Sequence, residues 1–337
     1  MSRRDWRRLD ESDVRVRPGK GSRPRSKRRP EHTDATSAMV TAVDRGRWTC
    51  AINDRHDHDV VAMRARELGR TPVVVGDRVG LVGDTSGRPD TLARIVRVDP
   101  RGSVLRRTAD DDDPYERVVV ANAEQLLIVT ALADPPPRTG FVDRCLVAAY
   151  AGGLEPVLCL TKADLAEPDQ LLERYAELEL PVVVTRYDRE ANDLRERLTG
   201  TITALVGHSG VGKSTLVNWL VPDAALATGE VSAVGKGRHT SVAALALPLP
   251  GGGWVVDTPG IRSFGLAHVT PNDIVSAFSE FTEPAEECPP GCGHLGAPAD
   301  RDCALDQVVA DGDAREGRLA SLRRLLSSRA GLDEHGP

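Results

Sequence analysis

The chain has 337 residues, of which 40% are apolar and 28% are charged, and its formal net charge is −6. This length predicts two or three domains, and the composition, which lacks a run of about 18 apolar residues, excludes collagen-like fibres and membrane-embedded proteins. The charge is unevenly spread, because residues 1–30 hold twelve Lys/Arg against four Asp/Glu, which leaves a net charge of −14 for residues 31–337.

The basic N-terminal segment, residues 1–36, is rich in Arg, Pro, Gly and Ser and offers little to bury, which is typical of a disordered arm. It is either a solubilising tail or an anchor for a polyanion, whose binding weakens with salt through counterion release. The arm lacks the apolar region of a secretory signal, and the six cysteines are spaced too unevenly for a disulfide framework. We therefore expect a cytoplasmic protein.

Residues 37–108 alternate short β-branched runs with turn residues, which predicts a small all-β barrel. We expect an OB-like barrel, although other five-stranded barrels share this strand spacing. Its arginines, its histidines and Trp48 could form a face for nucleic acid. The fold class is thus multi-domain, beginning with this barrel.

Residues 109–266 begin with the acidic run ADDDDPYE, for which a solvated loop is favoured over a cation site. Patterns of buried strands then alternate with helix-compatible segments, as in an α/β domain with a mainly parallel sheet and ligands at the carboxyl ends of its strands. Residues 267–337 contain a Cys/His cluster and a predicted final helix around residues 314–330. We expect this third domain to be mainly helical.

The first motif of the α/β domain is Thr161-Lys162-Ala163-Asp164, directly after the predicted strand EPVLCL. Base choice in GTPases needs a carboxylate that accepts both guanine N–H groups and a lysine that packs along the base, and an [NT]KxD loop supplies both. Alone, the motif could instead cap a helix through Thr161 or Asp164.

The second motif, GHSGVGKST, satisfies the P-loop pattern GxxxxGK[ST] between a predicted strand and a predicted helix. In such loops backbone N–H groups curl around the phosphates, Lys213 reaches the β- and γ-phosphate oxygens, and the Ser214 hydroxyl ligates Mg²⁺. We predict nucleoside triphosphate binding, rather than a glycine-rich turn that happens to contain Lys and Ser. The candidate nucleotide-binding residues here are Gly207, His208, Ser209, Gly210, Val211, Gly212, Lys213, Ser214 and Thr215.

Two further motifs complete the predicted magnesium site. Asp257 and Gly260 of DTPG follow an apolar strand, where the carboxylate meets Mg²⁺ and the glycine N–H senses the γ-phosphate. Thr240 in the glycine-rich segment GKGRHTS is placed to complete the Mg²⁺ shell with Ser214 and Asp257. The alternative for Thr240 alone is a threonine of a surface loop.

The order of these motifs is unusual. In most GTPases the [NT]KxD loop follows the DxxG turn, whereas here it lies upstream, at residues 161–164. A sheet is assembled in space rather than in sequence, so a permutation leaves the pocket intact while moving the chain ends. We predict a circularly permuted P-loop GTPase domain in which Asp164 selects guanine.

A cluster of four residues near the C-terminus, Cys288, Cys292, His294 and Cys303, has the spacing C-x₃-C-x-H-x₈-C. Three thiolates and an imidazole suit tetrahedral Zn²⁺, and four protein ligands make such a site structural. Free cytosolic thiols are the alternative. We predict one structural Zn²⁺ and expect the remaining cysteines to lie in apolar cores; these are Cys50, Cys145 and Cys159.

Together, the permuted order, GHSGVGKST, GKGRHTS, DTPGIRSFGL, TKADL, the barrel and the Cys/His cluster resemble the ribosome small-subunit-dependent GTPase A family, RsgA, over roughly residues 38–330. The resemblance implies an OB-fold domain, a permuted GTPase domain and a zinc-binding domain. It also implies late maturation of the small ribosomal subunit, binding of the subunit and its rRNA, and hydrolysis of GTP to GDP and phosphate that the subunit stimulates. We expect a monomer that binds no membrane.

The chain departs from the family pattern in three places. Thr161 replaces the commoner Asn of the guanine loop, which keeps a side-chain oxygen there. The family's next base-contacting loop, a Ser-Ala element, has no match near Thr185 and Arg186, which stay unassigned. The usual Cys/His spacing of the family is C-x₄-C-x-H-x₅-C, so in this chain the first spacing is one residue shorter and the last is three residues longer.

The catalytic group is also unusual, because Ile261 stands where many GTPases use Gln to orient water, and a hydrophobic side chain cannot do this. His239 is the first substitute and His208 the next, although His239 could instead contact the ribosome or support the switch. The candidate catalytic residues are His239, Thr240, Arg238 for transition-state charge, and Lys213.

Two other function classes stay open. An ATPase or kinase that uses the same P-loop would show no guanine preference. A non-catalytic, rRNA-binding assembly factor is the second, but the intact Lys213, Ser214, Thr240 and Asp257 argue against a degenerate site.

Overall fold

The computed structural model describes residues 32–53, 58–69, 71–108, 116–189, 191–222, 244–258 and 265–332. Contacts divide the chain into Met1–Thr33 and Asp34–Pro337, and every strand and helix given below lies in the second unit. Several predicted features lie outside the described residues: the arm up to residue 31, residues 109–115 of the acidic run, Arg238, His239, Thr240, Gly260 and Ile261.

The first five strands form a barrel. They are β1 (Thr36–Asp44), β2 (Arg47–Ile52), β3 (Asp59–Arg64), β4 (Arg78–Gly83) and β5 (Ala93–Val98). Their order is β1-β2-β3-β5-β4, with β4 paired back to β1 and β3 parallel to β5. This closure is that of a five-stranded OB-like barrel, which confirms the prediction.

The barrel encloses its own apolar core, which includes Val40, Cys50 and Ile95. Trp48 belongs to this core, since it is 9% exposed and its indole Nε1 donates a 3.0 Å hydrogen bond to the Val73 carbonyl. The expectation that Trp48 contributes to a nucleic-acid face is therefore wrong. The alternation of β2 points this side chain inward.

A short hairpin follows the barrel, formed by β6 (Val104–Arg107) and β7 (Arg117–Ala121). The apolar run VVVANAEQLLIVTAL thus forms two strands, because Asn122 has a φ of 55° and ends β7. Its side chain accepts from the Gly102 N–H at 2.9 Å and donates to the Gly76 carbonyl at 3.0 Å. The predicted boundary between the first two domains, after residue 108, falls between β6 and β7 in the chain. This boundary stays a prediction.

The α/β region is built on a mainly parallel sheet. Its strands are β8 (Gln125–Ala131), β9 (Glu155–Thr161), β10 (Val182–Val184), β11 (Ile202–Val206), β12 (Leu245–Pro248) and β13 (Trp254–Asp257). They lie in the order β10-β9-β8-β11-β13-β12, and β12 is antiparallel to β13 while the others pair in parallel. β8 is buried along its whole length, as expected for a central strand covered on both faces.

The described residues of this region include four α-helices: α1 (Thr139–Gly152), α2 (Asp169–Tyr175), α3 (Asn192–Leu198) and α4 (Lys213–Leu220). The apolar faces of α3 and α4 share one buried cluster with the sheet. The larger cluster contains α1, α2 and the C-terminal helices. Strand and helix therefore alternate as predicted.

The barrel and the parallel sheet are hydrogen-bonded to each other. Ala42 of β1 is the antiparallel partner of Leu245 in β12, so that both sheets join in one eleven-stranded sheet. Leu245 is also the antiparallel partner of Asp257 in β13. A ladder thus runs from the barrel to a candidate magnesium ligand.

The C-terminal region is helical, with α5 (Pro271–Val275), α6 (Ser279–Ala285), α7 (Ala304–Ala310) and α8 (Glu316–Arg329). The bounds of α8 confirm the predicted final helix. α8 packs against α1, where the buried carboxylate of Asp143 lies 3.4 Å from Arg324 and 3.3 Å from Arg174 of α2. No helix in the described part of the chain has the length and apolar character to cross a membrane.

Candidate nucleotide and metal sites

The sheet brings three of the predicted motifs to one edge. The Thr161–Asp164 loop begins at the end of β9, the P-loop follows β11, and Asp257 ends β13. These strands are parallel, and only β8 separates β9 from β11. Their carboxyl ends therefore meet, as the permutation hypothesis requires.

The P-loop places its glycines where side chains do not fit. A Cβ atom at Gly207 would lie 2.5 Å from the Val129 carbonyl oxygen, and Gly212 has a φ of 94°. α4 begins at Lys213, so the loop leads into a helix N-terminus, which favours phosphate. The Lys213 ammonium donates to the carbonyls of Gly207 at 2.6 Å and His208 at 3.1 Å, which keeps it inside the loop.

Lys213 and Asp257 lie close enough to shift each other's pKa. Burial lowers the pKa of Lys213, and the nearby Asp257 carboxylate acts against that shift. Burial likewise raises the pKa of Asp257, opposed by Lys213 and by the Thr258 N–H. Thr258 is itself buried, and its hydroxyl donates to the Leu205 carbonyl, which fixes the end of β13.

His208, a candidate for catalysis, packs against α1. Its ring centroid is 4.2 Å from that of Phe141, and the two ring planes are inclined by 53°. Phe141 is buried. The imidazole therefore has an apolar support on the helix that also carries Asp143.

The guanine-type loop is attached directly to the P-loop. The buried Thr161 hydroxyl donates a 2.7 Å hydrogen bond to the carbonyl of Val211, and Lys162 donates from Nζ to the carbonyl of Asp134. The Thr161 hydroxyl thus connects the loop predicted to hold the base with the loop predicted to hold the phosphates. Asp164 is exposed at the same edge.

The loop after β10, residues 185–188, is hydrogen-bonded to the Thr161–Asp164 loop, although the sequence assigns it no role. The Ala163 N–H donates to the Thr185 carbonyl at 3.2 Å, and Arg186 Nη1 donates to the Ala163 carbonyl at 3.2 Å. The Tyr187 N–H donates to Asp164 Oδ1 at 3.2 Å. Sequence reasoning missed Tyr187, and the signal that could have found it is its position just after the next parallel strand.

A cleft with about 350 Å³ of empty space, part of it open solvent, lies between these loops and α4. Its walls come from the Thr161 loop, the loop after β10 and the first two turns of α4. The lining residues are Thr161, Lys162, Thr185, Arg186, Tyr187, Gly212, Thr215, Leu216 and Trp219. It adjoins the P-loop at Gly212.

The Cys/His cluster is assembled in space. The His294 Nδ1 atom lies 3.4 Å from the Sγ of Cys288, 3.7 Å from that of Cys292 and 3.9 Å from that of Cys303, and all four ligand atoms lie within 4.8 Å of one another. A tetrahedral metal with bonds of about 2.3 Å to sulfur and about 2.0 Å to nitrogen needs edges of roughly 3.5–3.8 Å. The cluster could therefore hold a metal ion.

Hydrogen bonds from backbone N–H groups around the cluster support this arrangement. The Asp300 carboxylate accepts N–H groups on both sides of His294, from Gly293 at 3.2 Å and from Leu295 at 2.8 Å. The Ala304 N–H points to the Cys288 sulfur at 3.3 Å. Such N–H groups orient and stabilise thiolate ligands.

Known proteins are similar to this chain in sequence and in fold. The sequence model of the RsgA GTPase family matches residues 98–267. The small ribosomal subunit biogenesis GTPase RsgA of Alcanivorax borkumensis is 39% identical over 78% of this chain and 74% of its own length, and that of Gemmatimonas aurantiaca is 37% identical over 87% and 97%.

Two solved structures have the same fold. YjeQ from Thermotoga maritima aligns with a TM-score of 0.64 and 26% identity over 88% of this chain and 99% of its own, and YloQ, a circularly permuted GTPase, with a TM-score of 0.62 and 20% identity over 91% and 99%. The fold is thus that of a circularly permuted GTPase preceded by a barrel. With these relatives and the family match, the chain belongs to the RsgA GTPase family.

Proposed function

We propose that this protein is a GTPase in the biogenesis of the small ribosomal subunit: it binds the subunit and its rRNA, hydrolyses GTP to GDP and phosphate, and dissociates. The observation that carries the nucleotide part is the meeting of the Thr161–Asp164 loop, the P-loop and Asp257 at one edge of the sheet. The ribosomal part rests on the names of the relatives.

At the base end, Asp164 would accept the two guanine N–H donors while the Lys162 stem packs along the base. Thr161 holds this loop against Val211, so that base and phosphate contacts keep a fixed spacing. Adenine has no N–H pair of this kind to offer Asp164. The site therefore favours GTP over ATP.

At the phosphate end, the Gly207–Thr215 loop supplies backbone N–H donors and Lys213 supplies a cation. Ser214, Asp257 and Thr240 are the proposed Mg²⁺ ligands, and Gly260 the proposed sensor of the γ-phosphate. Mg²⁺ bound there would neutralise charge that develops on the phosphates. Partial burial lowers the pKa of Lys213 and raises that of Asp257, which fits residues whose charges gain partners when nucleotide and metal bind.

Catalysis needs a group that orients water, and Ile261 cannot serve. We assign this role to His239 first and to His208 second, with Arg238 stabilising transition-state charge. The packing of His208 on Phe141 fits a positioning role near the phosphates.

The Cys288, Cys292, His294 and Cys303 cluster is proposed to bind one structural Zn²⁺, because three thiolates with one imidazole favour this ion. We propose that the barrel (37–108) and the C-terminal domain (267–337) contact the subunit on either side of the GTPase domain (109–266), helped by the basic arm (1–36). The protein would act as a cytoplasmic monomer.

The ladder from the barrel to the nucleotide site supports stimulation by the subunit. Ala42 pairs with Leu245, and Leu245 pairs with Asp257, so a shift of the barrel on the subunit would be passed to the strand that carries a proposed Mg²⁺ ligand. Thr240 lies only five positions before Leu245 in the chain.

The test is multiple-turnover hydrolysis of GTP and of ATP by the full chain, with and without purified small subunits. Lys213→Ala is the control for contaminating nucleotidases, since it removes the phosphate cation. Equal turnover of both nucleotides would favour an ATPase or kinase. GTP hydrolysis that subunits do not accelerate would favour a non-catalytic assembly factor.

A further inference from the structure

We propose that Tyr187 forms an aromatic wall of the base pocket and packs against the face of the bound guanine. This inference rests on the proposed GTP site and adds to it a contact that the guanine-type motif does not contain. The Tyr187 side chain is 76% exposed, yet it lines the cleft together with Lys162 and Trp219. A planar base in this cleft would cover an apolar ring surface that water now contacts.

The backbone of Tyr187 is tied to the carboxylate that reads the base. Its N–H donates to Asp164 Oδ1 at 3.2 Å. The preceding residue, Arg186, donates from Nη1 to the Ala163 carbonyl at 3.2 Å and pairs through Nε with Asp188 at 3.0 Å. The ring is therefore carried by a loop whose position relative to Asp164 is fixed by these hydrogen bonds.

Trp219 supports the ring from α4. The centroids of Tyr187 and Trp219 are 6.3 Å apart with planes inclined by 44°, which is within the range of favourable aromatic pairs. Trp219 lies in the last turn of α4, and its carbonyl accepts a 2.8 Å hydrogen bond from Arg195 of α3. The helix that begins at the P-loop thus also supports the base end of the cleft.

The chemistry separates this contact from the role of Asp164. Packing on the face of a base does not depend on the exocyclic groups, whereas the Asp164 pair requires the guanine N1–H and 2-amino groups. Loss of the ring should therefore lower the affinities for GDP and for inosine diphosphate by the same factor. Base–aromatic stacking predicts a factor of about ten, which is about 1.4 kcal/mol.

Calorimetric titration of the full chain with GDP, inosine diphosphate and ADP tests the proposal. Tyr187→Ala should weaken GDP and inosine diphosphate about tenfold each, and Tyr187→Phe should restore both affinities. Leu165→Ala is the matched control, because Leu165 is 57% exposed beside the same loop but does not line the cleft. It should leave both affinities unchanged.

Wild-type GDP affinity in Tyr187→Ala would overturn the proposal. So would a clearly larger loss for GDP than for inosine diphosphate: inosine keeps N1–H but lacks the 2-amino group, so an effect through Asp164 falls more heavily on GDP. A wild-type protein that binds ADP as tightly as GDP would refute the GTP site itself, and so the two failures are distinguishable.

Discussion

The hydroxyl of Thr161 donates a 2.7 Å hydrogen bond to the carbonyl of Val211, which joins two loops that are 50 residues apart in the chain. Both groups are buried. This bond fixes the distance between the cleft proposed for the base and the loop proposed for the phosphates. It also explains how Thr can stand where the family commonly has Asn, because the position needs a side-chain donor.

Thr161→Val removes this donor while keeping the shape of the side chain. The Val211 carbonyl would then be buried without this partner, which costs about 1–2 kcal/mol in the free energy of unfolding. We expect urea denaturation to show this loss and GDP titration to show a weaker affinity. Thr161→Ser keeps the hydroxyl and should keep both properties; a Val variant with unchanged GDP affinity would contradict the proposed coupling of the loops.

Asp164→Asn should change which base is bound. The amide still accepts from the Tyr187 N–H but can no longer accept both guanine donors, so the affinity for GDP should fall by about two orders of magnitude while that for ADP changes little. Xanthosine diphosphate, which has a carbonyl at C2, should bind the variant better than it binds the wild type. Unchanged GDP affinity would show that Asp164 does not read the base.

Loss of a cysteine from the metal cluster should be distinguishable from loss of a core cysteine. Cys292→Ala should abolish bound zinc and lower the Tm by about 5 °C or more, because a structural metal contributes folding free energy. Cys159→Ala is the matched control, since Cys159 is fully buried in the sheet. It should lower the Tm without changing the zinc content measured by mass spectrometry. One zinc per chain in Cys292→Ala would exclude the proposed ligand set.

Asp143 gives a pH dependence to the packing of α1 on α8. Burial raises its pKa above the usual aspartate value although Arg324 and Arg174 act against this, and Tyr175 lies beside them. The native state then holds this proton more tightly than the unfolded state, so the contribution of Asp143 to stability is greatest at low pH and falls as pH rises from about 3.9 upward.

Asp143→Asn isolates this contribution, because other titrations cancel in the comparison. The free energy of unfolding of the wild type, relative to the variant, should increase between about pH 7.5 and about pH 4, close to the usual aspartate pKa. Urea denaturation at both pH values measures this difference. A relative stability that decreases toward low pH would mean that the two arginines outweigh burial.

The sequence predicted those parts of the site that depend on short segments. The P-loop and the Thr161–Asp164 loop have recognisable spacings because each is a single short loop, and the four residues of the Cys/His cluster lie within sixteen positions of one another. The wall formed by Arg186 and Tyr187 depends instead on contacts between loops after neighbouring strands, where many residue types fit. The family resemblance did not identify it, because the residues near Thr185 and Arg186 do not match the Ser-Ala element.

Tertiary pairing explains the other differences. Trp48 was expected on a surface because its residue type suits nucleic acid, but the direction of β2 buries it. The pairing of Ala42 with Leu245 joins segments more than two hundred positions apart, and no local pattern specifies it. The break at Asn122 depends on partners in two other segments, Gly76 and Gly102.

The most direct test of the proposed function is the rate of GTP hydrolysis measured with and without purified small ribosomal subunits. We predict slow turnover alone, strong acceleration by the subunit, and little hydrolysis of ATP under either condition. An unchanged GTP rate at saturating subunit would contradict the account.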